Sequence, residues 1–257
     1  MKMTRILLLL VLSVAIFSCS KDDDPTPASS SLETATLSLS SESKVISPPS
    51  AMAASNDTYA QMATGYVSVV NGMTNYLAYF TPPSGAVKSS TAITAANGRV
   101  ASTQKTYLVY TWTDPTYGSF AYQVSEETDK YIFEIFLKQK TGGSWLRYVY
   151  AEESKDRSAG LMKIYDLFTG APTTTILLNY SWKRTGDVLE FTMEDPDPDF
   201  SVKIIISINE KTRAGSVVYI IDSVKWYEMK WDAKGSGSWT WYEDDGITVS
   251  DSGTWTV

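Results

Sequence analysis

The chain has 257 residues, a net charge of −7 at neutral pH, no histidine and a single cysteine, Cys19. The absence of histidine excludes Ser-His-Asp and Cys-His hydrolases, His-ligated zinc or copper and the His-Glu-x-x-His protease motif, and a lone cysteine excludes a disulfide within the chain. The acidic balance disfavours nucleic acid as a partner, because that binding rests on neutralising phosphates with Lys and Arg clusters.

At the N-terminus, Lys2 and Arg5 precede an apolar run from Ile6 to Phe17, well short of the roughly 20 residues that span a bilayer as a helix. This pattern predicts a cleaved secretory signal over residues 1–18, not a transmembrane anchor. Ile16-Phe17-Ser18-Cys19 resembles the lipobox of bacterial lipoproteins. That resemblance implies that the Cys19 thiol is joined to diacylglycerol and that the chain is cut just before it, which makes a membrane the first expected partner. A doubly acylated anchor holds a protein on a membrane stably where a single chain does not. Ser20-Lys21-Asp22-Asp23-Asp24 is similar to the acidic export signal of outer-membrane lipoproteins in Bacteroidota-type bacteria. The expected location is therefore the outer membrane, at the cell surface or otherwise at its periplasmic face. With Cys19 committed to lipid, thiolate chemistry is also removed.

Residues 19–55 are rich in Ser, Thr, Ala and Pro, with Pro25, Pro27, Pro48 and Pro49, and read as a flexible lipidated linker. As a coil, this stretch has a root-mean-square reach of roughly 35 Å. One β-rich domain is expected over 56–257. It begins with a helix over about 57–80, for which Asn56 or Asp57 offers an N-cap and Pro82-Pro83 a stop. Tyr59, Met62, Ala63, Tyr66, Val70, Met73 and Leu77 fall on one helical stripe. Gly65 and Gly72 weaken an isolated helix by about 1 kcal/mol each relative to alanine, so it must dock on something.

From Thr106 the apolar period changes from 3.6 to 2. Strands are expected near 107–113, 120–125, 131–138, 145–151, 161–167, 176–183, 188–193, 202–208, 217–221, 225–231, 239–242 and 254–257. Between them lie short polar turns such as Thr141-Gly142-Gly143, Arg184-Thr185-Gly186-Asp187 and Gly235-Ser236-Gly237, and connections this short join antiparallel neighbours. The expected class is mainly all-β: an antiparallel meander of about 11–12 strands. It forms a barrel or strongly curved half-barrel, because twist accumulates across so many strands, with the one amphipathic helix packed on it. Residues 86–105 could add one more hairpin at Asn97-Gly98. The run from Trp231 to Trp241, with Asp245-Gly246 and Ser252-Gly253-Thr254-Trp255, resembles the closing hairpins of lipocalin-like lipoproteins of the same bacterial group.

What survives chemically is carboxylate catalysis, Ser-Lys chemistry or binding alone. Glu134, Glu190 and Glu228 lie within strands, where two acids facing each other roughly 5–9 Å apart could hydrolyse a glycoside; solvent-facing positions are the expected explanation, since Glu134 alternates with Tyr131, Phe133 and Ile135 and Glu228 sits beside Lys225 and Lys230. Asp195-Pro196-Asp197-Pro198-Asp199 has the alternating acids of a calcium loop, but Phe200 stands where the sixth-position glycine belongs and Ile206 where a closing acid belongs, so no metal is expected. No glycine-rich phosphate loop occurs, so no cofactor is expected either.

Period 2 places Tyr148 with Tyr150, Tyr180 with Trp182, Tyr227 with Trp231, and Trp239 with Trp241 on shared faces. These stripes are either core or the wall of a ligand site. The expected site residues are Tyr66, Met73, Tyr148, Tyr150, Trp182, Trp231 and Trp239. The expected role is non-catalytic binding of a small apolar or amphipathic ligand, or of a protein partner in the outer membrane. The alternatives are a surface protein that binds or hydrolyses carbohydrate through strand carboxylates and aromatics, and a structural accessory subunit of an outer-membrane complex.

Overall fold

The computed structural model describes residues 30–37, 46–73, 80–97, 105–140, 142–169 and 172–257. The signal segment, Cys19, the acidic run after it, Leu77 and Gly98 lie outside the described residues, as does the side chain of Met73. Two helical turns, α1 (Ser30–Thr34) and α2 (Ser50–Ala53), precede a longer helix, α3 (Thr58–Met73). Asp57 caps α3 as expected, its Oδ1 accepting the backbone N–H groups of Tyr59 at 2.8 Å and Ala60 at 3.0 Å.

Thirteen strands then form one antiparallel sheet whose spatial order is the chain order. They are β1 (Val87–Ser89), β2 (Tyr107–Asp114), β3 (Gly118–Glu126), β4 (Lys130–Gln139), β5 (Leu146–Ser154), β6 (Ala159–Tyr165) and β7 (Ile176–Thr185). The series continues with β8 (Val188–Asp195), β9 (Val202–Asn209), β10 (Gly215–Ile221), β11 (Val224–Trp231), β12 (Gly237–Tyr242) and β13 (Val249–Trp255). β1 pairs only with β2, and β13 only with β12, so the sheet is an open half-barrel and not a closed barrel. Its curvature shows in the core: Leu108 of β2 and Trp255 of β13, near opposite ends of the sheet, belong to one buried cluster together with Ala60, Ala63, Val67 and Val70 of α3. Bulges in four ladders, at Tyr148, Leu177, Trp226 and Ser250, bend the strands and steepen their twist.

Three details refine the expectation. Residues 86–97 contribute one short strand, β1, and the rest of the hairpin expected over 86–105 falls at 98–104, outside the described residues. The last strand begins at Val249, although Ser250-Asp251-Ser252-Gly253 has the composition of a loop, because its pairing with β12 sets Trp255 over Gly237 and Trp239 over Gly253. Most of all, the linker read over 19–55 is partly domain. Leu32, Leu37, Ile46 and Met52 are buried in the main core, and Asn71 of α3 holds Ile46 at both backbone groups, accepting its N–H at 3.0 Å and donating to its C=O at 2.7 Å. Four apolar anchors scattered among Ser and Thr are diluted in composition yet suffice for docking, so the domain includes Ser30 onward and does not begin at Asn56.

The β10–β11 turn holds two left-handed residues in succession. Asp222 and Ser223, with φ of 47° and 68°, join β10 to β11. Two left-handed residues in a two-residue hairpin loop match the strand twist, and Asp222 is braced by accepting the Ser201 N–H at 2.8 Å.

Candidate functional site

The helix-side face receives five of the expected site residues, Tyr66, Tyr148, Trp182, Trp231 and Trp239, in or packed against its core cluster. Trp182 and Trp231 are 3% and 4% exposed. Each lies over the glycine directly opposite it on the neighbouring strand, Trp182 over Gly160 and Trp231 over Gly215, with Trp255 and Trp239 doing the same over Gly237 and Gly253. Four of the eight tryptophans thus fill the space that a glycine opens in a strand. Two of their polar edges are satisfied locally: the Trp231 indole N–H donates to the Arg213 carbonyl at 2.8 Å and that of Trp255 to the Gly235 carbonyl at 2.7 Å, whereas that of Trp182 is buried without a hydrogen-bond partner. Trp239 stacks on Tyr59 of α3 at 4.2 Å. Tyr66 packs against Tyr219 and Tyr227, and burial, with Tyr219 adding to it, pushes its hydroxyl up to about 12.

Tyr148 and Tyr150 do not share a face, contrary to the period-2 expectation. In the β4–β5 ladder Ile135 pairs with Val149 and Phe136 with Arg147, so Tyr148 is the extra residue of a bulge. It packs on the helix side, edge-on to Phe168 at 5.8 Å, while Tyr150 projects to the outer face. The same bulge turns Arg147 to the outer face. Asn97 fixes it there by accepting the Arg147 N–H at 2.6 Å and donating to its C=O at 3.1 Å, standing in for a strand partner.

On this outer face, strands β2–β6 frame a cleft of about 570 Å³. One wall is the segment around Ile93, held down by a small second core of Ala95, Ala121 and Phe136 with Ile93 and Trp145 and by the bond from the Ile93 N–H to Gln123 Oε1 at 2.7 Å. The floor is a row of directly opposed residues, Gln123, Glu134, Tyr150 and Lys163, one from each of β3, β4, β5 and β6. A parallel row supplies Ser125, Ile132, Glu152 and Leu161, and Lys105, Tyr107, Glu127, Lys130 and Tyr165 complete the rim.

The polar groups in the cleft are locked. Glu134 takes Arg147 Nη2 on one oxygen at 2.6 Å and Gln123 Nε2 on the other at 2.8 Å. Glu152 Oε2 accepts from the Tyr150 hydroxyl at 2.6 Å and from Lys130 Nζ at 2.9 Å. Burial works to raise the Glu152 carboxyl, but these two donors outweigh it and hold the group below the ordinary carboxylate range. Burial and the bond to Glu152 together push the Tyr150 hydroxyl up. Lys105 pairs with Glu127 at 2.5 Å and holds that carboxyl low as well.

A glycosidase acid must be protonated near neutral pH, and Glu152 is tuned the opposite way. The three strand glutamates do not converge either. Glu190 on β8 is four strands from Glu134, about 19 Å along the sheet, and Glu228 on β11 is engaged by Lys230, Lys225 and the Tyr242 hydroxyl. In the acidic run, Asp195 and Asp197 each accept the backbone N–H two residues on, at 3.2 and 2.8 Å, so these carboxylates brace their own turn. Among the described residues no cluster of acids fit for a metal ion occurs.

Of the cleft's residues, only Tyr150 and Glu134 stood out in the sequence. Gln123, Ser125, Glu152 and Lys163 alternate with core residues and so look like ordinary solvent-facing positions. Other openings occur among the described residues. One of about 760 Å³ at the β1 edge is lined by Trp112, Trp145 and Asp114. One of about 310 Å³ lies between Leu32, Leu37, Phe80 and Tyr122. Neither carries an ion-pair network. No family model, no curated protein and no solved structure matches the chain.

Proposed function

We propose that this chain is a non-catalytic, lipid-anchored binding protein of the outer membrane and that the outer-face cleft of β2–β6 takes a carbohydrate. The observation that carries the ligand class is the make-up of the cleft. Tyrosines at 107, 150 and 165 stand among hydrogen-bonding groups already fixed in place, Gln123, Glu134, Glu152 and Arg147. A sugar offers C–H faces for the rings and hydroxyl edges for the fixed polar groups. The volume lies within the range of small-molecule sites. Preorganised groups also lose little conformational freedom on binding. An apolar ligand held beneath α3 is less well supported, because Ala63, Val67, Trp182 and Trp231 are buried in one core cluster there, and the helix-side opening of about 310 Å³ is lined by none of the expected site residues.

Anchoring rests on the lipobox-like residues ending at Cys19. Among the described residues no helix is long and apolar enough to cross a membrane.

A glycan screen followed by calorimetric titration tests the ligand. Tyr165→Ala and Tyr150→Ala should each weaken binding by tenfold or more with the fold retained. Unchanged affinity in both variants, or no glycan bound by the wild type, would overturn the reading. Cys19→Ser should abolish acyl labelling and membrane fractionation; persistence of both would refute the anchor.

A further inference from the structure

The ion pairs of the cleft do not balance. Its lining holds four cations, Lys105, Lys130, Arg147 and Lys163, against three acids, Glu127, Glu134 and Glu152. Each acid is taken: Glu127 by Lys105 and Lys130, Glu134 by Arg147, and Glu152 by Lys130. Of these four cations Lys163 is the one with no ion pair to a described residue, in a chain whose net charge is −7.

Its surroundings are also under-used. Lys163 lies directly opposite Tyr150 on β5 and Asn179 on β7. Asn179 Oδ1 is buried with no hydrogen-bond partner, and so is Nε of Arg147, whose guanidinium sits 5.3 Å from the centre of the Tyr150 ring. One uncompensated ammonium and one idle donor therefore flank a single tyrosine within the cleft, while Asn179 lies one strand beyond Lys163 and outside the cleft lining.

We propose that the cleft selects an acidic sugar, with Lys163 binding its carboxylate and Tyr150 lying against its ring; this rests on the carbohydrate reading of the cleft. The surplus is a single positive charge. That matches a monoanionic carboxylate, whereas a phosphate dianion calls for several convergent donors such as an Arg pair or a run of backbone N–H groups.

The test titrates the detergent-solubilised lipoprotein with matched pairs: sialyllactose against lactose, and an oligogalacturonate against its carboxyl-reduced form. Sodium acetate and inorganic phosphate serve as competitors. The acidic member of at least one pair should bind about tenfold tighter or more, the scale of one charge-assisted hydrogen bond, and the advantage should shrink at high salt. Lys163→Gln should erase the difference between the pair, and Lys163→Arg should keep part of it, with both variants melting like the wild type. Equal binding within each pair, unchanged by Lys163→Gln, overturns the charge assignment and leaves the carbohydrate reading standing. Binding to no member overturns both. Competition by phosphate at concentrations where acetate has no effect overturns the carboxylate assignment.

Discussion

Phe133 and Glu134 are neighbours in β4 and point to opposite faces of the same sheet. Phe133 is fully buried in the cluster under α3. Glu134 is almost as buried, 7% exposed, but in an ion pair with Arg147 on the floor of the cleft. The helix side is a close-packed apolar layer in which tryptophans cover glycines. The outer side over β2–β6 is a fixed polar network. The difference teaches that burial has two meanings here. Apolar burial supplies folding free energy at about 25 cal/mol per Å², whereas a buried ion pair roughly breaks even against its desolvation and is weak evidence of a stabilising role. The network on the outer face is therefore weak evidence of a stabilising role.

The largest effect should come from the helix side. Phe133→Ala is expected to destabilise by about 3–5 kcal/mol, read as a lowered urea midpoint, with ligand affinity of the remaining folded protein unchanged. Glu134→Ala, one residue away, should lower stability by about 3 kcal/mol because Arg147 is left buried and unpaired. The double variant Glu134→Leu with Arg147→Leu should return close to wild-type stability yet lose binding. If the double variant is as unstable as the single one, the two faces do not differ in kind and the comparison breaks.

A smaller effect is expected from pH. The carboxyls of Glu127, Glu152 and Glu228 are all held below their ordinary value of 4.5: Glu127 chiefly by its bond from Lys105, and the other two by cationic and hydroxyl donors that outweigh burial. A depressed folded value means that the stabilisation is complete above the unfolded value and is lost as pH falls through the folded one. With no histidine in the chain, no side chain of ordinary pKa titrates between about 5 and 8. The melting temperature should therefore be flat from about pH 6 to 9 and fall below about pH 4.5. Tyr150→Phe removes one donor to Glu152; it should lower stability at neutral pH by about 1 kcal/mol and make the acid drop shallower.

The smallest effect sharpens the role of α3. A Cβ at Gly65 meets nothing within 4 Å, so Gly65→Ala should raise stability by up to about 1 kcal/mol without altering binding, measured by thermal melting and titration side by side.

Much of the fold was legible in the chain. Eleven of the thirteen strands, β2 to β12, follow from period-2 alternation between polar turns, and Asp57 announced its helix. The missed parts share a cause. β1 is three residues long and too short to show a period, and β13 is polar and lies at an edge, where pairing and one tryptophan outweigh composition. Leu32, Leu37, Ile46 and Met52 are isolated apolar residues whose docking depends on surfaces far away in sequence. The cleft was barely legible. Its members come from several strands at positions that look solvent-facing one strand at a time, and the bulge at Tyr148 that delivers Arg147 breaks the alternation from which faces are inferred.

The sequence by itself determined the lipobox-like start at Cys19, the absence of histidine chemistry, and a long antiparallel meander with one docked helix. These follow from local chemistry: residue type, spacing and the period of alternation. Only the tertiary structure decided that the sheet stays open, that the tryptophans cover glycines, and that Gln123, Glu134, Tyr150 and Lys163 stand in one row. Those outcomes depend on register between strands, and one bulge residue moves a side chain from one face of a sheet to the other.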